Sequence, residues 1–203
     1  MLDKFFDMDN PLMQSLQAAA YLMILNILTI LFSIPVISAG AALTAQYDVL
    51  RAMARREENY PARMFVHSFK KNLRQGILMG LVFLAAAAGV LSHYFLTASL
   101  MPAFRSASLT LVFLLLAVSA YAFPLLARFE NTIAGTLKNA LCLMIGYFPR
   151  TLGIIAFTAV FYFLVIRFPA LCAPLVFMFG ISLPCYIGTI ILDPVLKTME
   201  NNT

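Results

Sequence analysis

Four stretches of this chain, 10–47, 75–104, 106–127 and 168–192, carry no formally charged residue over a membrane-crossing length, and a fifth, 151–166, is only slightly shorter. A helix rises about 1.5 Å per residue and the hydrocarbon core of a bilayer is about 30 Å thick, so roughly 20 residues cross it. Hydrophobic residues make up 62% of the 203 positions and charged residues 11%, against roughly 25% charge in a soluble domain. A water-soluble globule is excluded, and so is disorder, which needs low hydrophobicity and high charge. The sequence predicts one all-α membrane domain over 1–203, a multi-pass transmembrane helical bundle. Five crossings are expected, at about 12–47, 75–97, 106–127, 150–166 and 168–192. The fourth reaches across if Tyr147 and Phe148 sit in the interface and Arg167 snorkels outward on its aliphatic stem.

The first run is too long for one straight crossing. Asn10 and Pro11 give it a start, a capping side chain followed by proline at the first helical position. Pro35 then removes a backbone donor and clashes with the preceding turn, so a kink is expected between Pro35 and Gly40. The segment after it, SAGAALTAQY, is small and weakly polar. One kinked helix gives five crossings; a separate crossing after Pro35 gives six.

Seven of the 14 Lys and Arg residues fall between Arg51 and Arg74. Short cytoplasmic loops carry such an excess. With five crossings and an outer N-terminus, the inner side holds eleven basic residues and the outer side Lys4, Arg105 and Arg167; with six, Lys4 changes sides and the ratio is twelve to two. Charge therefore orients the middle helices and leaves the side of the N-terminus open. Asp3, Asp7 and Asp9 ahead of a long apolar run argue against a cleavable signal peptide. Trp is absent, so Tyr60, Tyr147 and Tyr94 are the expected interfacial anchors.

Two amphipathic cytoplasmic elbows, 48–74 and 128–149, join the crossings. In the first, Met64, Phe65, Phe69 and Leu73 recur at helical spacing, which predicts a stretch lying along the membrane surface. In the second, Ile133, Leu137, Leu141 and Met144 share a face opposite Lys138 and Asn139. Each elbow ends on a basic residue before an apolar run, Arg74 and Arg150, so the chain reads as two parallel units of descending helix, elbow and ascending helix, with a fifth helix appended.

Residues able to carry chemistry are sparse. The acids leave gaps at 59–129 and 131–192 apart from Glu130. His67 and His93 have no Cys or carboxylate at ligand spacing, and Ser33 and Ser182 have no base nearby in sequence. Cys142, Cys172 and Cys185 read as small core residues rather than a disulfide framework. No catalytic residue, cofactor, metal or nucleic-acid partner is implied. Gly76 and Gly80, and Ala85 with Gly89, have the small-residue spacing that lets helices approach closely. Pro35, Gly40, Gly180 and Pro184 mark breaks in the first and last crossings, where freed backbone groups could line a cavity. Glu130, an acid in apolar surroundings, should find a cation among Arg128, Lys138, Arg150 and Arg74 and staple the elbows together.

The segments FFDMDNPLM, IPVISAGAALTAQYDVL, EENYPARMFVHSFKKNLRQG, FPLLARFENTIAGTLKNAL and YFPRTLG together resemble the YesL-like family of bacterial membrane proteins, a domain of unknown function. The resemblance is most specific at SFKKN, 68–72, and FPLLARFEN, 123–131. It implies a place in the bacterial cytoplasmic membrane and an association with carbohydrate uptake through ATP-driven importers. The loop by which importer permeases dock on their ATPase is matched only weakly, by Gly135 and Ile145, with Pro149 one position late. The expected role is a non-catalytic accessory or regulatory subunit that contacts permease or ATPase subunits, or anionic lipid headgroups, through Arg55, Arg56, Lys70, Lys71, Arg74, Arg128, Glu130, Lys138 and Arg150. The alternative is a transporter or channel for a small neutral solute.

Overall fold

The computed structural model describes residues 11–55, 57, 60–97, 102–129 and 131–200. Among them every regular element is helical: α1 Pro11–Ser33, a 3-10 turn Val36–Ser38, α2 Ala39–Ala54, α3 Pro61–Thr97, α4 Pro102–Arg128, α5 Ile133–Gly146, α6 Phe148–Arg167, α7 Pro169–Phe179 and α8 Ser182–Glu200. The chain is an all-α multi-pass bundle. Among the described residues four helices are long and apolar enough to cross a membrane: Met13–Ser33 within α1, α3, Ser106–Arg128 within α4, and α6. The pair Cys172–Phe179 and Ser182–Thr198, bent by 56°, makes up to five.

Pro35 ends α1 completely rather than kinking it. The residue before a proline is pushed out of the helical region, and Ser38 closes the gap: its Oγ donates to the carbonyls of Phe32 at 2.6 Å and Pro35 at 2.8 Å. α2 then starts afresh. At 16 residues it is short for a crossing, yet it is the most enclosed helix, packed by α1, α3, α4 and α8 with Gly40, Ala42, Ala45, Val49 and Leu50 among its buried residues. The small, weakly apolar composition that makes this segment a poor lipid-facing span suits one walled in by protein.

Gly40 accordingly is not a break. It lies in the first turn of α2 against Gly76 and Gly80 of α3, where an added Cβ would fall on the Gly76 carbonyl oxygen and within 2.6 Å of Gly80 Cα. From the other side, a Cβ on Gly76 would lie 2.5 Å from Ala41 Cα. Backbone meets backbone along this seam. Ala85 and Gly89, expected to pack likewise, face outward, and nothing comes within 4 Å of a Cβ at Gly89.

The first elbow is not a separate surface helix. Its second half is the beginning of α3, which runs unbroken for 37 residues, about 55 Å at the usual rise. The buried face is also rotated from the expected one: Phe65, Ser68, Asn72, Gly76 and Met79 point in, Met64 and Phe69 are half-buried, and Leu73 is exposed. Asn72 can turn inward because its Nδ2 donates to the Ser68 carbonyl and hydroxyl at 3.2 and 3.3 Å.

The second elbow does contain its own helix, α5, capped by Thr132, whose hydroxyl accepts from the Gly135 N–H at 3.2 Å. It buries Thr136, Ala140 and Met144, with Ile133 and Leu137 against the same core; Leu141, expected on that face, is exposed. The two units suggested by the sequence thus differ at the elbow, fused to the ascending helix in one and independent in the other. Single residues, Tyr147 and Phe168, separate α5 from α6 and α6 from α7.

Candidate functional site

Three features at and within the bundle bear on function: an ionic cluster, a bent helix pair with a cavity beside it, and a basic groove. The ionic cluster joins the ends of α2 and α8. Asp193 Oδ1 lies 3.4 Å from Arg51 Nε and 2.9 Å from Arg55 Nε, and its Oδ2 lies 3.1 Å from Lys197 Nζ one turn on. Arg55, expected on a free interface, is therefore folded against α8. Sequence reasoning passed over Asp193, although a lone acid directly after the apolar run 168–192 is a signal that could have flagged it.

The bend between α7 and α8 falls at Gly180 and Ile181, and its freed backbone groups have partners. Asn26 of α1, fully buried, accepts from the N–H groups of Ile181 at 2.8 Å and Ser182 at 3.2 Å and donates to the Phe177 carbonyl at 2.7 Å. Tyr162 donates to the Gly180 carbonyl at 3.0 Å. Pro184 sits in the first turn of α8, where a missing N–H costs little, so it does not itself break the helix. A cavity of about 380 Å³ lies beside the bend, between α2, α4, α6 and α8. Three of its four hydroxyls are spent on their own helices or on the bend, Ser119 on Leu116, Thr158 on Ile154, each at 2.8 Å, and Tyr162 on Gly180; the fourth, Tyr47, meets the Cys185 thiol. The Asn26 amide was not singled out from sequence, because an asparagine amid leucines gives no hint of a distant backbone partner.

The third feature is a groove of about 270 Å³ between α3 and the end of α4, lined by Lys71, Asn72, Arg74, Gln75, Leu126, Ala127, Arg128 and Phe129. It brings together three of the expected interface cations, Lys71, Arg74 and Arg128. They meet because Arg74 is the last charge before one apolar run and Arg128 the first after another, so the antiparallel crossings α3 and α4 deliver both to one level. Gln75 Nε2 bridges from α3 to the Asn131 carbonyl at 3.4 Å. Lys70 and Lys138 are exposed and do not line the groove. Arg150 stacks on the Tyr147 ring, 5.3 Å from its centroid. Arg56, Glu130 with its expected staple, and the Asn10 cap lie outside the described residues.

The two histidines lie apart from these features. His93 Nδ1 meets Ser108 Oγ at 2.8 Å, tying α3 to α4, and His67 is exposed. Among the described residues no three His, Cys, Asp or Glu side chains gather as a metal site, and the three cysteines are unpaired.

No curated protein and no solved structure matches the chain. A family model described as "Protein of unknown function, DUF624" matches residues 20–93, just over a third of the sequence, which takes in most of α1, all of α2 and nearly all of α3, the part of the bundle built around the glycine seam.

Proposed function

We propose that this chain is a YesL-like, non-catalytic subunit of the bacterial cytoplasmic membrane that accompanies an ATP-driven carbohydrate importer, with its basic end toward the cytoplasm. The observation that carries the reading is the basic end itself. Lys70, Lys71, Arg74 and Arg128 are exposed there, at the level where two apolar crossings end. The adjoining α5 exposes the strip Ala134, Lys138, Leu141 and Ile145, a spacing that keeps one helix face toward lipid or a partner. Such a surface suits an anionic, partly apolar docking face on a permease or ATPase. The importer as partner comes from the family resemblance alone.

Affinity capture of the tagged protein from gently solubilised native membranes tests this reading. Permease or ATPase subunits should co-purify, and Lys70→Glu combined with Lys138→Glu should lower their recovery at least fivefold. Capture that returns no importer subunit refutes it.

The alternative, a transporter or channel for a small neutral solute, draws on the cavity beside the bent pair. Three of the four hydroxyls there are already engaged by backbone carbonyls, which favours the subunit reading. Solute flux through the purified protein in liposomes would reverse that preference.

A further inference from the structure

We infer that the cavity beside the bent pair holds an acyl chain of a bilayer lipid, inserted sideways between α4 and α6. The inference is independent of any importer. Two contacts fix α6 around this space. At the basic end the Tyr121 hydroxyl meets the Thr151 hydroxyl at 2.7 Å, joining α4 to α6, and toward the other end Tyr162 ties α6 to the Gly180 carbonyl at the bend. Between the two contacts the lining side chains are small, Ser119 and Ala120 on α4 and Thr158 and Ala159 on α6. Small residues ordinarily mark close helix contact; here they border about 380 Å³ of open space.

Depth and lining identify the occupant. Leu116, Ser119 and Ala120 lie near the middle of the crossing Ser106–Arg128, and Thr158 and Ala159 near the middle of Phe148–Arg167. In a bilayer that level contains only hydrocarbon. The mouth continues the lipid-facing surface, since Leu116 and Ala159 are exposed, and the far wall is formed by Tyr47 of α2 and by Pro184 and Cys185 of α8. Water has little reason to enter. It needs roughly two to four polar partners, whereas Ser119, Thr158 and Tyr162 are engaged by backbone carbonyls and Tyr47 meets the Cys185 thiol. The buried polar groups without partners among the described residues, at Thr29, Gln46 and Ser182, lie outside the lining. An empty space would forfeit dispersion contacts along its walls, and a lipid tail restores them. α6 rises about 12 Å from Ile154 to Tyr162. At about 30 Å³ for a water-sized group, the volume takes on the order of a dozen methylene-sized groups. A tail seated there also closes the space to a polar solute.

The test asks what reaches the far wall. The full-length protein, in phosphatidylcholine liposomes that include a phosphatidylcholine with a photoactivatable diazirine midway along one acyl chain, would be irradiated and the labelled positions mapped by peptide mass spectrometry. Phe157 and Val160, exposed on α6, report lipid around the bundle. Tyr47, Pro184 and Cys185 should be labelled as well, at no less than a third of that level. Ala159→Phe, which fills the mouth, should cut labelling of these three at least fivefold and change that of Phe157 less than twofold. Ala156→Phe, the same change at an exposed position outside the lining, should leave every position within twofold. Leu116→Phe narrows the mouth from α4 and should act as Ala159→Phe does, which keeps the test decisive if one variant folds poorly. A diazirine-bearing decane without a headgroup, used separately, probes for a free apolar molecule: labelling of the far wall by the alkane and not by the lipid would overturn the assignment to a tail. So would lipid labelling confined to Phe157 and Val160, or far-wall labelling indifferent to both mouth variants.

Discussion

Gly40→Ala adds a single methyl group, and the geometry makes it among the costliest small changes available to this bundle. The new Cβ would overlap the Gly76 carbonyl oxygen and lie 2.6 Å from Gly80 Cα and 2.7 Å from Gly80 N. Carbon atoms in good contact sit about 3.5–4.0 Å apart, so α2 and α3 must separate by roughly 1 Å. No rotamer change relieves the clash, because the opposing atoms are backbone. Overpacking of this kind costs about 1–3 kcal/mol, and we expect the upper part of that range, since a gap of about 1 Å forfeits up to half of each dispersion contact along the seam. Gly89→Ala is the matched control: nothing lies within 4 Å of its Cβ, and alanine is the better helix former by roughly 0.5–1 kcal/mol. Reversible unfolding in mixed micelles, followed by circular dichroism against the mole fraction of dodecyl sulfate, should show Gly40→Ala well below the parent and Gly89→Ala at or above it. If the two variants unfold together, within about 0.5 kcal/mol, which is the usual spread for changes that touch nothing, the seam does not hold α2 in place and the reasoning fails.

Gln46 is fully buried, and among the described residues neither amide atom has a hydrogen-bond partner. An unsatisfied buried polar group costs about 1–3 kcal/mol, so Gln46→Leu should raise the melting temperature in detergent by several degrees; a fall would mean that the amide has a partner in solution. Asn26→Ala removes the acceptor for two N–H groups at the start of α8 and the donor to Phe177. It should destabilise by roughly 2 kcal/mol or more and speed hydrogen exchange around 177–186, and unchanged exchange there would show that the bend holds itself. Asp193→Asn strips the charge that faces Arg51 and Arg55, whose side chains are 9% and 15% exposed. Removing one partner of so enclosed a pair costs roughly 3 kcal/mol, and a double-mutant cycle with Arg55→Met should recover part of it; strictly additive losses would deny the pairing.

What the sequence made legible follows from the solvent that each residue faces. Lipid rewards apolar side chains on the outside, so hydropathy finds crossings readily: the absence of charge over 106–127 marks the span Ser106–Arg128 within two residues. The same physics hides the interior. A helix in lipid gains little by turning leucine inward, and contact is left to small residues and to polar groups that find partners. Here Leu73, Leu84, Phe95 and Phe163 face outward, while Asn26, Thr44, Ser68, Asn72 and Ser182 are buried. Met64, Phe65, Phe69 and Leu73 read as the apolar face of a helix lying along the membrane surface, but the start of α3 packs on protein and turns Phe65, Ser68 and Asn72 inward while Leu73 stays exposed; Leu141, grouped with Ile133, Leu137 and Met144 by the same periodicity, is exposed as well. Pro35 was legible because proline acts through its own backbone. Asp193 and Asn26 were not, because their partners lie 138 and 155 residues away and no local period records a distant pairing. The basic groove was half legible: its cations stand out at the borders of apolar runs, but only the antiparallel pairing of α3 with α4 shows that Lys71, Arg74 and Arg128 share one space while Lys70, a single residue from Lys71, does not. In a bundle of this kind, charges at run borders identify the level of a site, and helix pairing decides its membership.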